Sequence, residues 1–159
     1  NDWHCGYDIF SYGHDIEASW LLHEAALVLE DKDMLSRVEA RIPSIVAAAT
    51  EGFTPEGGMK YEKTGDHMDG DRHWWVQAES VVGYFNLWEY FGAQEGLESA
   101  ICCWEFIKNG LIDKENGEWF WSVRADGTVN RVDDKAGFWK CPYHNGRMCL
   151  EIIERTSAF

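Results

Sequence analysis

The alternation of two kinds of helical stretch constrains this chain more than any other feature of its sequence. From Asp15 to Glu30, residues such as Ile16, Trp20, Leu21, Leu22, Leu27 and Val28 leave almost no polar face. A helix apolar all round is expected to be buried. After Asp31, Lys32 and Asp33, a second stretch from Met34 to Glu51 places Leu35, Val38, Ile42, Ile45, Val46 and Ala49 at three- and four-residue spacing, with Arg37, Glu39 and Arg41 between them. That spacing gives one wet face and one dry face, with a kink or a late start expected at Pro43. The pair then recurs: Arg72 to Phe91 is apolar nearly all round, and Gln94 to Lys108 carries Leu97, Ala100, Ile101, Trp104 and Ile107 on one face. A last helix starts near His144 with Met148, Leu150, Ile152 and Ile153.

The buried stretches begin about 60 residues apart, at His14, Val76 and His144. Between them lie two long connectors. Residues 52–72 hold Pro55, Gly57, Gly58, Gly65 and a short strand candidate, Met59 to Glu62. Residues 109–142 hold Glu118 to Val123, an Asp126-Gly127 turn and Thr128 to Arg131, which reads as a β-hairpin. Helical hairpins repeated at this period predict an all-α architecture with an inner ring of buried helices and an outer ring of amphipathic ones. All the long connectors then fall on one face, beside the N-termini of the inner helices, where loops on a rigid scaffold commonly carry function.

Two and a half hairpins do not close a ring. Faces of helices such as Arg72 to Phe91 are therefore expected to be uncovered, and residues 1–159 are expected to be one partial domain of a longer protein, or one that assembles with copies of itself.

Composition excludes some partners. Fourteen Lys and Arg against 28 Asp and Glu give a formal charge of −14, which argues against nucleic acid and against an anionic membrane. No apolar run reaches transmembrane length, and the first residues lack the basic and apolar regions of a signal peptide. Five cysteines without a CxxC pair read as reduced core or near-core thiols of a cytoplasmic protein. The acidic loop from Gly65 to His73 matches no metal-binding spacing and reads as solvated, so no metal and no cofactor are expected.

The residues able to carry chemistry gather at the starts of the buried helices. His14 and His144 occupy comparable places, and imidazole both takes and returns a proton near neutral pH. The partial positive charge of a helix N-terminus favours the neutral ring and stabilises a nearby developing anion. Such a site suits proton abstraction beside a carbonyl. Glu17 and Glu79 lie one turn into their helices. They suit hydroxyl binding or a first-turn role toward the backbone, and as a carboxylate pair they also fit glycoside hydrolysis. Trp20, Trp74, Trp75 and Trp139 are near the same helix starts, and Trp119 and Trp121 lie in the hairpin; Trp75 is the favoured stacking face for a sugar. Arg147 either holds a carboxylate of this group or caps a neighbouring helix.

Four stretches carry a resemblance to a known family: Phe10 to Leu22 (FSYGHDIEASWLL), His73 to Asn86 (HWWVQAESVVGYFN), Glu118 to Trp121 (EWFW) and Asp134 to Ile153 (DKAGFWKCPYHNGRMCLEII). In this order and rough spacing they resemble the cellobiose 2-epimerases of the N-acylglucosamine 2-epimerase superfamily. The resemblance implies the C-terminal part of an (α/α)6 barrel. It also implies cofactor-independent inversion at C2 of the reducing-end glucose of cellobiose and related β-1,4-linked oligosaccharides. The ring opens, one histidine removes the C2 proton, a cis-enediolate forms, and a second histidine reprotonates the other face. His14 and His144 match the acid/base pair; Glu17, Trp20, Trp75 and Glu79, with Trp74, match positions that bind sugar or support the histidines. The family's N-terminal half, with a further arginine and histidine, has no counterpart here, so the chain alone is expected to be inactive or barely folded. The other readings are an N-acylglucosamine 2-epimerase or aldose-ketose isomerase on the same fold, a hydrolase using Glu17 and Glu79, and a non-catalytic carbohydrate-binding fragment.

Overall fold

The computed structural model describes residues 7–157. The elements run β1 (Ile9–Ser11), α1 (Tyr12–Leu29), α2 (Lys32–Glu39), α3 (Ile42–Thr50), β2 (Glu62–Thr64), β3 (His67–Asp69), β4 (Arg72–His73), α4 (Trp74–Phe91), α5 (Gln94–Phe106), β5 (Ser122–Val123) and α6 (Tyr143–Thr156), with a π-helical turn, Ile107–Leu111, prolonging α5. Helix α4 is the centre of the fold: α1 packs on one side, α6 on the other, and α5 and α3 lie behind. The outer α3 also packs on α1. The two-layer reading is therefore correct, with α1, α4 and α6 inside.

The second predicted helix is two helices. Asp31 caps α2 by accepting from the backbone N–H groups of Asp33 and Met34, both at 3.0 Å, and the helix stops at Glu39. Pro43 sits in the first turn of α3, where its missing N–H leaves no gap in the hydrogen-bond ladder. The proline thus marks a new start rather than a kink.

The expectation about uncovered faces needs correction. Helix α4 is buried without interruption from Trp74 to Asn86, because its neighbours enclose it. The open apolar faces belong to its flanks: Leu22, Val28 and Leu29 on α1, Ile101 on α5, and Leu150 and Ile153 on α6 are all exposed. Helix α1, expected to be buried all round, is covered on one face only. Within α4 the buried Gln77, Ser80 and Asn86 side chains each have a partner, as a dry interior demands, while the Trp74 indole N–H has none. Gln77 donates to the Met59 carbonyl at 2.8 Å and accepts from its N–H at 2.7 Å, pinning the first connector to the helix. Ser80 donates to Val76 O at 2.7 Å, and Asn86 Oδ1 accepts from Arg155 at 3.2 Å.

Both connectors form β-structure at the N-terminal end of the inner helices. The predicted strand at Met59 to Glu62 is displaced: β2 begins at Glu62 and lies between β1 and β3, all antiparallel. In the second connector β5 pairs with β4, joining Ser122 to His73, and Trp74 N–H donates to Trp121 O at 3.0 Å. The predicted hairpin closes at Gly127, whose φ of 87° suits a residue without Cβ, and Val123 bridges Val129.

No helix is long and apolar enough to cross a membrane among the described residues. The thiols differ from expectation, since Cys102, Cys141 and Cys149 are exposed and Cys103 alone is buried; Cys5 lies outside the described residues.

Candidate active site

The start of each inner helix lines one cleft of about 440 Å³, bordered by His14, Glu17, Tyr61, His73, Trp74, Trp75, Trp121, Trp139 and His144. Trp75 is its middle. The His14 ring lies 4.8 Å from the Trp75 ring and the His144 ring 5.5 Å from it, so both imidazoles pack against one indole. Gly13 makes this possible, because a Cβ there would come within 2.6 Å of the Trp75 ring. A side chain at 13 would push apart the contact that aligns α1 with α4.

His14 stands in the first turn of α1 and its Nδ1 meets Ser11 Oγ at 2.7 Å. The hydroxyl both donates and accepts, so this contact leaves either tautomer open. His144 is held differently. Its Nδ1 is 2.7 Å from Glu79 Oε1 and 3.9 Å from Glu17 Oε1. An ionised carboxylate only accepts, so Nδ1 carries the hydrogen and Nε2 is left with a free lone pair.

Behind His144, Arg147 joins the two acids. One guanidinium nitrogen donates to Glu17 Oε1 at 2.6 Å and to Glu79 Oε1 at 2.7 Å; the other donates to Tyr143 Oη at 2.6 Å. The cation also lies over the Trp20 ring at 4.9 Å. Burial opposes its charge, but the bonds to Glu79 and Glu17 outweigh this and hold the guanidinium above its ordinary range. Of its two open roles, the structure selects carboxylate holding. Glu17, Glu79 and His144 converge within 4.8 Å, a spacing that would suit a cation; Arg147 already donates to both carboxylates and supplies that charge.

Two expected sugar contacts lie further back than the sequence implied. Trp20 is completely buried and donates from Nε1 to Glu79 Oε2 at 3.0 Å, so it presents no face to the cleft and acts on the site through Glu79. Glu79, 1% exposed, is spent on Trp20, His144 and Arg147. Glu17 remains partly exposed at the cleft wall. Trp74 lines the cleft while mostly buried.

Other lining groups were not singled out from the sequence. Tyr61 stacks on His73 at 4.2 Å, with rings 18° apart; burial lowers the His73 pKa, against the pull of Asp69, Asp71 and Asp133. The acidic loop is structural here: Asp71 accepts from Ala125 N–H at 2.9 Å and ties the two connectors together. Lys140 is more unexpected. It is buried to 1% and donates to Lys135 O, Trp119 O and Glu118 Oε1 at 2.7, 2.8 and 3.2 Å. Burial pulls its pKa below the ordinary lysine range, with Glu118 countering.

Residues 6–146 match the family model described as N-acylglucosamine 2-epimerase. The chain belongs to the N-acylglucosamine 2-epimerase family. Within that family it is 63% identical over 155 residues to a cellobiose 2-epimerase of Bacteroides fragilis, covering 96% of this chain and 40% of that protein. A cellobiose 2-epimerase of Ruminococcus albus is 44% identical over 149 residues, with 93% and 38% covered. The solved structure of a sugar epimerase from a ruminal bacterium superposes with a TM-score of 0.90 at 42% identity, covering 96% of this chain and 39% of that one. The chain thus spans about 40% of the length of these relatives, and its two helix layers are part of the (α/α)6 barrel of such epimerases.

Proposed function

We propose that the complete protein carrying this chain is a cofactor-independent isomerase that inverts C2 of the reducing-end glucose of cellobiose and related β-1,4-linked oligosaccharides, giving the mannose epimer. This chain supplies the C-terminal part of the barrel and its acid/base pair, His14 and His144. The observation that carries the reading is the pair of imidazoles set against one indole in a single cleft, one of them fixed through Nδ1 by a buried carboxylate.

Once the sugar ring has opened, the hydrogen on C2 is acidified by the adjacent C1 carbonyl. Nε2 of one histidine takes that proton; the C–H electrons form the C1–C2 double bond and the carbonyl electrons move onto O1, giving a cis-enediolate. The other histidine, protonated, returns a proton to the opposite face of C2 as the C1 carbonyl reforms. No redox partner is consumed, and reversal exchanges the roles. Glu79 accepts from Nδ1 of His144 and fixes the ring, and Arg147 holds Glu79 in place. Trp75 offers the stacking surface that holds the open chain between the bases, and Glu17 is placed to meet a hydroxyl. Exposed unpaired thiols at Cys102, Cys141 and Cys149 agree with a reducing, cytoplasmic compartment.

The hydrolase reading is weakened by the same geometry. Glycosidase carboxyl groups flank the scissile bond about 5–9.5 Å apart, whereas Glu17 and Glu79 share one arginine nitrogen. Aldose-ketose isomerisation shares the enediolate and differs only in protonation at C1, so ketose is the expected side product to look for.

The test is turnover of cellobiose in heavy water by the complete gene product. Deuterium is expected at C2 of both glucose- and mannose-ended products, and His14→Asn or His144→Asn should each lower net epimerisation by about a thousandfold or more. Free glucose as the main product, or full turnover in either variant, would refute the proposal.

A further inference from the structure

The segment from Asp134 to Lys140 carries two of the most exposed aromatics of the chain, Phe138 at 93% and Trp139 at 80%, and Trp139 borders the cleft. An exposed loop with so little packing has to be held by something else. Lys135 ties its N-terminal end to Asp113 and Gly117 O, and the end that carries Trp139 is held by Lys140, whose ammonium is carried inward and bonded to Glu118 and to the carbonyls of Trp119 and Lys135. The last of these closes the segment on itself, helped by Gly137 N–H donating to Lys140 O at 2.8 Å. The ammonium also lies over the Trp74 ring at 5.2 Å.

A buried ammonium is costly in an interior where an apolar side chain would pack as well. Its partner is unusual too. Glu118 has a φ of 61°, the left-handed region where glycine is at home and a side chain is strained. A chain that needed only a turn here would use glycine. The glutamate carboxylate instead accepts from Lys140 and, at 3.1 Å, from Asn145, the residue after His144. Two separately unfavourable features, a buried cation and a glutamate at positive φ, meet in one ion pair at the rim of the cleft.

We propose that the Glu118–Lys140 pair is a positioning device for substrate affinity, fixing the strap that holds Trp139 over the cleft. The inference rests on the epimerase reading for its substrate. Trp139 borders the cleft while 80% exposed and is assigned no part in proton transfer, so its grip on the sugar is taken to be the same in ground state and transition state. Loss of such a contact raises KM and leaves kcat unchanged. The bond from Glu118 to Asn145 offers the competing role: if the pair served mainly to seat α6, its loss would displace His144 and lower kcat instead.

The experiment compares Lys140→Met, Glu118→Gln, Trp139→Ala and the Lys140→Met/Trp139→Ala double variant of the complete gene product, with cellobiose as substrate and chymotryptic cleavage after Phe138 as a second readout. Lys140→Met is expected to raise KM about tenfold with kcat within about twofold, and to speed cleavage after Phe138 with the overall circular dichroism unchanged. Glu118→Gln, which keeps an amide oxygen for Lys140, should shift KM in the same direction by less, and it serves as the test should Lys140→Met not fold. In the double variant KM should match that of Trp139→Ala alone, because both act through one contact. Multiplicative KM effects, a fall in kcat at constant KM, or unchanged cleavage would overturn the proposal. A protein with no epimerase activity before substitution would instead remove the function reading, leaving the cleavage result as an independent measure of the strap.

Discussion

Replacing Glu79 with glutamine isolates the contribution of the buried carboxylate without changing its shape. Oε1 accepts from His144 and Arg147, each at 2.7 Å, and Oε2 accepts from Trp20 at 3.0 Å. Glutamine has a single oxygen. If it faces His144 and Arg147, the amide NH2 meets the Trp20 N–H, donor against donor; the reverse orientation produces that conflict twice. The first arrangement is therefore adopted, and it leaves Trp20 Nε1 unsatisfied in a fully buried position, costing about 1–3 kcal/mol. The lost charge beside Arg147 adds only about 1 kcal/mol, because that guanidinium is partly exposed and keeps Glu17. A total loss near 2–4 kcal/mol is expected, read as a lower urea midpoint at constant slope. His144 also trades its carboxylate partner for an amide oxygen, a weaker acceptor that orients the ring less firmly, which should lower kcat by roughly 10²–10³-fold, about 3–4 kcal/mol of barrier at 1.36 kcal/mol per decade. Urea titration and turnover in heavy water measure the two effects. Stability within about 0.5 kcal/mol and kcat within about threefold of the starting protein would show that this carboxylate neither holds the core nor orients His144.

Two further predictions concern stability. Gly83→Ala is expected to destabilise: alanine gains about 1 kcal/mol of helix propensity in α4, but its Cβ would sit 2.6 Å from the Ile16 side chain and 2.9 Å from the Ile16 carbonyl. Backbone cannot swing aside, so a net loss of about 1–2 kcal/mol should appear in thermal unfolding. Asp113 has its pKa well below the ordinary aspartate range, chiefly through the Lys135 ammonium at 2.7 Å and also through Asn116 and Glu115 N–H groups. A lowered native pKa means the unfolded chain binds the proton first as pH falls. The stabilisation is therefore complete above about pH 4 and is lost on further acidification. Asp113→Asn should flatten the acid limb of the stability profile below that pH; an unchanged limb would contradict the assignment.

Much of the site was legible along the chain because helix periodicity is a local property. The spacing of apolar residues shows three inner helices, and histidines at two of their starts are then carried to one end of the layer by the repeat alone. Pro43 shows the break between α2 and α3 for a similarly local reason, its fixed φ and missing N–H. Depth is different. Trp20 and Glu79 lie 59 residues apart, and nothing in either stretch says that the indole will point at the carboxylate rather than at a ligand.

The sequence by itself therefore determined the order of buried and amphipathic helices, the face that carries the connectors, and the candidate residues at the helix starts. Only the tertiary structure decided which of those residues face the cleft and which stand behind it. It placed α4 in the middle with α1 and α6 as its open flanks, chose carboxylate holding for Arg147, and took Lys140 into the interior. The physical reason is the range of the interactions: propensity and periodicity act within a few residues, whereas a buried charge or an indole N–H is satisfied by whatever partner packing brings across the fold, and that partner has no fixed distance in sequence.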